Sequence, residues 1–229
     1  MSMFRQLITA GEALGGADSG TTVRLLVYIE EHCRPSGSST VEGSLATLAN
    51  TCDARGSSSH YRSILDQLFA IEKFTGNKAR YGASDNSMLT RVLATRLGIP
   101  LSLCVVAQSV LSQLGHQSYL VGLPGHVVLG VPDEGSTVYV DCFNGGREMS
   151  REQCVSLVAA SGTLDESHSA LMPMTPSLVA LRTLNNLVAA FRAEMDQVGL
   201  ARVAALRLCV PFLSAEDVRS TQALLAQTN

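Results

Sequence analysis

No stretch of the 229-residue sequence approaches the roughly 20 consecutive apolar residues of a membrane span. No lysine- or arginine-rich run occurs, and the formal net charge is −3, which argues against a nucleic-acid-binding surface. No cysteines are paired at metal-ligand spacing: the six stand at positions 33, 52, 104, 142, 154 and 209. Scattered in this way they read as reduced thiols of a cytoplasmic protein, not as a disulfide framework or a zinc site. There is no dinucleotide fingerprint, P-loop or HExxH pair, so no cofactor and no metal is expected. The opening MSMFRQLITAGEALGG has neither the basic nor the continuously apolar segment of a signal peptide.

With 46% hydrophobic and 16% charged residues, the chain can bury one sizeable core with a small appendage. Residues 1–75 read as an interrupted helical segment. Short helices over 23–31 and 41–50 end at CRPSGSS and CDARGSSS, and a stronger one from Ser59 carries Tyr61, Ile64, Leu65, Leu68, Phe69 and Ile71 on one face. His32 and His60 border these loops and are expected in solvent. Residues 74–84 form a loop ahead of the stretch that organises the chain, 85–146.

That stretch reads as helix, helix, strand, strand, strand. The first helix starts at Asn86 or Ser87 and ends at Gly98, because Pro100 forbids its continuation. The second takes Ser102 as N-cap and runs at the helical period to Gly115. Cys104 then falls at about the second helical position. There, free backbone N–H groups and the positive end of the helix dipole favour a thiolate, which makes it a candidate nucleophile. Strands follow over 118–123, 126–131 and 137–141. A four-residue loop of Pro132, Asp133, Glu134 and Gly135 pairs Val131 with Ser136 and sets His126 directly opposite Asp141, close enough for a carboxylate to hold an imidazole. His116, just past Gly115, is read as satisfying the last helical carbonyls. Asn144, Gly145 and Gly146 make a tight turn, and Ser150 with Gln153 forms a capping box for a helix that contains Cys154. Residues 163–176 read as a loop, and 177–195 with 198–211 as an amphipathic αα-hairpin that must pack on the core or on a partner.

Four motifs in this order, FTGNKARYGASDNSMLTRVLATRLGIPLSL, LPGHVVL, VDCFNGG and LRTLNNLVAAF, resemble the SirB-type branch of the transglutaminase-like superfamily over about 68–212. The resemblance implies an α+β, papain-like core of helices on a small antiparallel sheet, followed by tetratricopeptide-like helices. In domain terms it implies an N-terminal helical segment to 75, the core over 76–172, and a C-terminal helical hairpin over 173–229 packed on the core. It also implies a triad in the chain order Cys, His, Asp, with the cysteine opening a helix. The matching positions are Cys104, His126 and Asp141. Asn86, Ser102 and Asn144 stand beside them as candidates for substrate binding or support. Two features depart from the family's pattern. By its distance from the closing Gly, the family's cysteine slot falls nearer Pro100, Leu101 or Ser102, and Cys142 replaces the proline that usually follows the aspartate.

Two functions are therefore expected. One is cysteine-dependent acyl transfer on an amide- or ester-bearing small molecule or peptide, with water or an amine as acceptor, no cofactor, and no nucleic-acid or membrane partner. Cys104 attacks, His126 takes and returns the proton, and Asp141 fixes the tautomer of the imidazole. The other is a catalytically inactive scaffold that binds a protein partner through its helical C-terminus. A Cys104 Sγ within about 4 Å of a His126 ring nitrogen favours the first, and a thiol turned into the core favours the second.

Overall fold

The computed structural model describes residues 2–14, 16, 18–35, 41–160 and 171–227. Its helices are α1 (Ser2–Ala13), α2 (Ser19–Cys33), α3 (Val41–Ala54), α4 (Tyr61–Asp66), α5 (Leu89–Thr95), α6 (Pro100–Gln113), α7 (Arg151–Ala160), α8 (Pro176–Ala193), α9 (Gln197–Arg207) and α10 (Ala215–Gln227). The antiparallel sheet has the order β3 (Tyr119–Leu123), β4 (His126–Asp133), β5 (Ser136–Asp141), β6 (Arg147–Met149), and a two-residue parallel pair joins β1 (Thr75–Gly76) to β2 (Leu97–Gly98). The fold is α+β, helices around a small antiparallel sheet, as the sequence indicates. β6 and α10 are elements that its periodicity did not reveal.

The α6 helix is the axis of the structure. From Pro100 to Leu111 every residue is buried, so it is apolar all round and polar only where Ser102, Gln108 and Ser109 find internal partners. It packs between α2, α3 and the sheet. Strand alternation gives the sheet two covered faces. Val127, Leu129 and Val131 of β4 join the main core, while Val128 joins a smaller cluster with Val121, Leu123, Tyr139, Met149 and Cys154 under α7. The main core runs from Phe4 to Leu224 without a break. Leu184, Leu187 and Phe191 of α8 are fully buried within it, although Leu178 is 43% exposed. Ser150 and Gln153 cap α7 reciprocally, Ser150 N–H donating to Gln153 Oε1 at 2.8 Å and Gln153 N–H to Ser150 Oγ at 3.2 Å.

Two local expectations are corrected. The N-cap of α6 is Ile99, with Pro100 as its first residue. Ser102 lies inside the helix, and its Oγ accepts the Ile99 N–H at 3.1 Å. Proline suits the first helical position, where its missing N–H would have had no helical partner, and Gly98 is drawn into β2. Cys104 is therefore the fifth residue of the helix, beyond the turn where orphan N–H groups gather. The β4–β5 loop also differs. Asp133 pairs with Ser136 and Val131 with Val138, leaving a two-residue turn at Glu134 (φ +42°) and Gly135 (φ +82°). Two successive positive φ values make a hairpin turn whose twist matches the strands. Pro132 sits in β4 without cost to the β3 ladder, whose pairing has ended at Gly130. His116 satisfies a helix carbonyl as expected, its backbone N–H donating to Leu111 O at 2.9 Å, while its ring bonds Ser58 O at 2.8 Å. The part of the 163–176 loop up to residue 170 lies outside the described residues.

Candidate functional site

The imidazole of His126 begins β4, directly after the Pro124–Gly125 turn, and Asp141 ends β5. His126 Nε2 lies 3.1 Å from Asp141 Oδ1. The corrected register moves Asp141 by two residues along β4, and an even shift keeps a side chain on its face. The pair is thus made diagonally, beyond the last ladder pair of Leu129 with Val140.

Asp141 also anchors the turn that follows. Its Oδ1 accepts the backbone N–H groups of Phe143 at 3.1 Å and Asn144 at 3.2 Å, and its Oδ2 accepts the Asn144 side-chain amide at 2.8 Å. Burial pushes the carboxyl's pKa up, but the hydrogen bonds from His126 and Asn144 outweigh it and bring the value down to about 2. The Phe143 ring stands edge-on to His126, with centroids 6.4 Å apart, and Tyr81 stands edge-on to Phe143 at 5.6 Å. Phe143 needs Gly76 beneath it, since a Cβ there would lie 2.4 Å from the ring.

Cys104 belongs to a different environment. It is 0% exposed, and its Sγ donates to the Val127 carbonyl at 3.7 Å. Burial, together with the neighbouring Cys142 thiol, raises its pKa well above the ordinary thiol value. Among the described residues Cys104 makes no hydrogen bond to His126.

The helix opening itself holds no free nucleophile. Pro100 has none, Leu101 is buried, and Ser102, 1% exposed, donates to Asn86 O at 2.6 Å while accepting from Ile99. Asn86 is part of the same lining. Its amide donates to Arg80 O at 2.6 Å and Tyr81 O at 2.9 Å and accepts from Asn77 at 2.9 Å, which staples the 77–86 loop. The six sequence-derived candidates therefore form three groups: His126, Asp141 and Asn144 together; Asn86 and Ser102 together; and Cys104 against Cys142. No group of His, Cys, Asp and Glu able to hold a metal occurs among the described residues.

Sequence reasoning passed over Tyr81, Phe143 and Arg182. The Arg182 Nη2 donates at 3.0 Å to both Leu123 O and His126 O, clamping the β3–β4 turn onto α8. Its signal was the LRTLNNLVAAF motif, which carried the resemblance but was given no task.

A helix set against a small antiparallel sheet, with a His–Asp pair at the ends of adjacent strands, is the architecture of transglutaminase-like domains. The chain belongs to the transglutaminase-like superfamily, whose model matches residues 39–185. Among curated proteins it is similar to a UPF0162 protein of Xylella fastidiosa, 36% identical over 86 residues, which are 38% of this chain and 31% of that one. It is also similar to F-box only protein 21 of Mus musculus, 32% identical over 103 residues, 42% of this chain and 16% of that one, and to its Homo sapiens counterpart at 31%. The chain spans less than a third of the length of the curated relatives it matches. No solved structure matches it at a significant level. No helix of the described residues is long and apolar enough to cross a membrane.

Proposed function

We propose that this chain is a transglutaminase-like binding module: a domain that keeps the oriented His126–Asp141 pair but not a nucleophile at the helix opening, and that engages a protein partner through its helical C-terminal part. The observation that carries this reading is the burial of Cys104 at the fifth position of α6, behind Pro100 at the first. A thiol with its hydrogen bond spent on Val127 O and its pKa raised by burial is a core side chain. Partner binding is supported by Met195 and Val198, 81% and 61% exposed where α8 passes to α9. It is supported too by the relatives, in which the similar stretch is a minor part of a longer chain. Assignment to the SirB-type branch is part of the same reading and rests on the four motifs, with the UPF0162 likeness compatible with it.

A second reading is favoured by one observation, the 3.1 Å contact between His126 and Asp141. It is cysteine-dependent acyl transfer, amide hydrolysis or transamidation, in a state where α6 and β4 separate enough for Cys104 to reach the imidazole. Labelling of the native chain with iodoacetamide and with an electrophilic amide probe, followed by mass-spectrometric mapping, distinguishes the two. The binding-module reading expects Cys104 to stay unlabelled until denaturant is added. Labelling of Cys104 in the native protein, ahead of the other thiols, overturns it in favour of acyl transfer.

A further inference from the structure

We propose that the cavity between α3 and α5 binds a neutral polyhydroxylated molecule, a sugar or a cyclitol. The cavity shares no residue with the His126–Asp141 pair, so it stands apart from the binding-module reading. At about 480 Å³ it lies within the range of small-molecule sites, roughly 300–1,000 Å³. Ser44, Thr47 and Thr51 fall three and four residues apart on α3, which puts them on one helix face, and all three line the cavity. Thr90 and Ala94, four apart on α5, line it from the other helix. Among the described residues, Glu72 and Arg96 are the charged side chains that line it, and Val41, Leu48 and Leu93 add apolar surface between the polar groups.

The hydrogen-bonding pattern selects the ligand. The Thr47 hydroxyl donates to Gly43 O at 2.9 Å, and the Thr51 hydroxyl donates to Thr47 O at 2.8 Å. The Thr90 hydroxyl donates to the buried carboxylate of Glu30, which also takes the Thr90 N–H at 3.2 Å. A hydroxyl has one hydrogen and two lone pairs, so these three threonines have only acceptor capacity left. A ligand that satisfies them must bring several donors of its own. The charges disfavour an ion. Glu72 accepts from Gln67 Nε2 at 3.2 Å and lies 3.5 Å from Arg96 and 4.0 Å from Arg55, so a cation would have to compete with two guanidiniums. Arg96 has Glu72 against it, bonds Leu93 O and stacks over Phe74 at 4.7 Å to the ring centroid, so it presents no uncompensated charge to an anion. A carboxylate beside a guanidinium can instead accept from one hydroxyl and donate to the next. The C–H faces of a polyhydroxylated ring match the apolar side chains interspersed among these groups.

The full chain, isotopically labelled, is titrated with glucose, maltose and myo-inositol, and NMR shifts of Thr47, Thr51, Thr90 and Ala94 are followed. Tetrahydropyran-2-methanol, the glucose ring without its ring hydroxyls, is the control, and putrescine and acetate test for a cation and an anion. Saturable shifts are expected with at least one of the three polyols, at an affinity about tenfold or more above that of the control. Preference for glucose or maltose assigns a sugar, and preference for myo-inositol assigns a cyclitol. The double variant Thr47→Val, Thr51→Val removes two acceptors at nearly constant shape and should weaken binding about tenfold or more. Ala94→Leu fills the cavity from an exposed position without touching any of the hydrogen bonds, and it should block binding while the melting transition stays sharp. The absence of saturation with all three polyols, equal binding of the control, or a preference for putrescine or acetate overturns the proposal. So does undiminished binding in either folded variant. The labelling of Cys104 reports on the binding-module reading by itself, so the two fail separately.

Discussion

Asp141 and Cys104 are both acids buried near the start of β4, and the protein treats them in opposite ways. Asp141 is held at about pKa 2 by hydrogen bonds from an imidazole, an amide and two peptide N–H groups, which together outweigh the cost of burial. Cys104 is raised well above its ordinary value, because burial is its largest influence and the neighbouring Cys142 thiol adds to it. Burial therefore does not decide charge by itself; the number of donors aimed at the group does. One end of the supposed triad is prepared to hold an ion, and the other is prepared to stay neutral.

Removing Asp141 should break this contrast most severely. Asp141→Ala strands the Phe143 and Asn144 N–H groups as well as the Asn144 amide, and a loss of about 3 kcal/mol is expected in chemical denaturation. The second test is acid. A carboxyl whose folded pKa of about 2 lies below its usual 3.8 stabilises the fold above pH 4, and that contribution is lost as pH falls from about 4 towards 2. It amounts to about 2 kcal/mol, and Asp141→Asn should flatten the stability–pH curve over that window. Third, Cys104→Ala should cost about 1 kcal/mol, the price of a small core cavity, with partner binding unchanged. A loss of binding without loss of stability would return Cys104 to the functional site. The smallest effect sharpens the register that delivers Asp141. Glu134 has positive φ, a conformation asparagine accepts more readily, so Glu134→Asn should raise stability by about 0.5 kcal/mol in thermal unfolding, with the His126–Asp141 contact preserved.

Much of this was legible in the chain, and the failures have physical reasons. The α6 helix, the three hairpin strands and the meeting of His126 with Asp141 follow from period and parity, which survive a two-residue error in register. The register itself was hidden because Glu134-Gly135 is not one of the dipeptides that announce a two-residue turn, and because Pro132 looks like loop rather than strand. The position of Cys104 was misjudged by a cap. Ser102 resembles an N-cap, but a proline two residues earlier already had the conformation of a helix start, and Ser102 caps from within by taking the Ile99 N–H. Arg182 was invisible as a site residue because its partners are backbone carbonyls, which no side-chain pattern records.

Pro100 has one more consequence. A tetrahedral intermediate needs N–H donors for its oxyanion, and in a thiol enzyme built on a helix start the opening residue can provide one. Proline has no N–H, so the first position of α6 withholds an oxyanion donor as well as a nucleophile. Restoring Cys104 to solvent would leave that deficit in place. Pro100→Cys is the single substitution that returns both a thiol and a donor to the first position of the helix, in a fold whose His–Asp pair is already assembled.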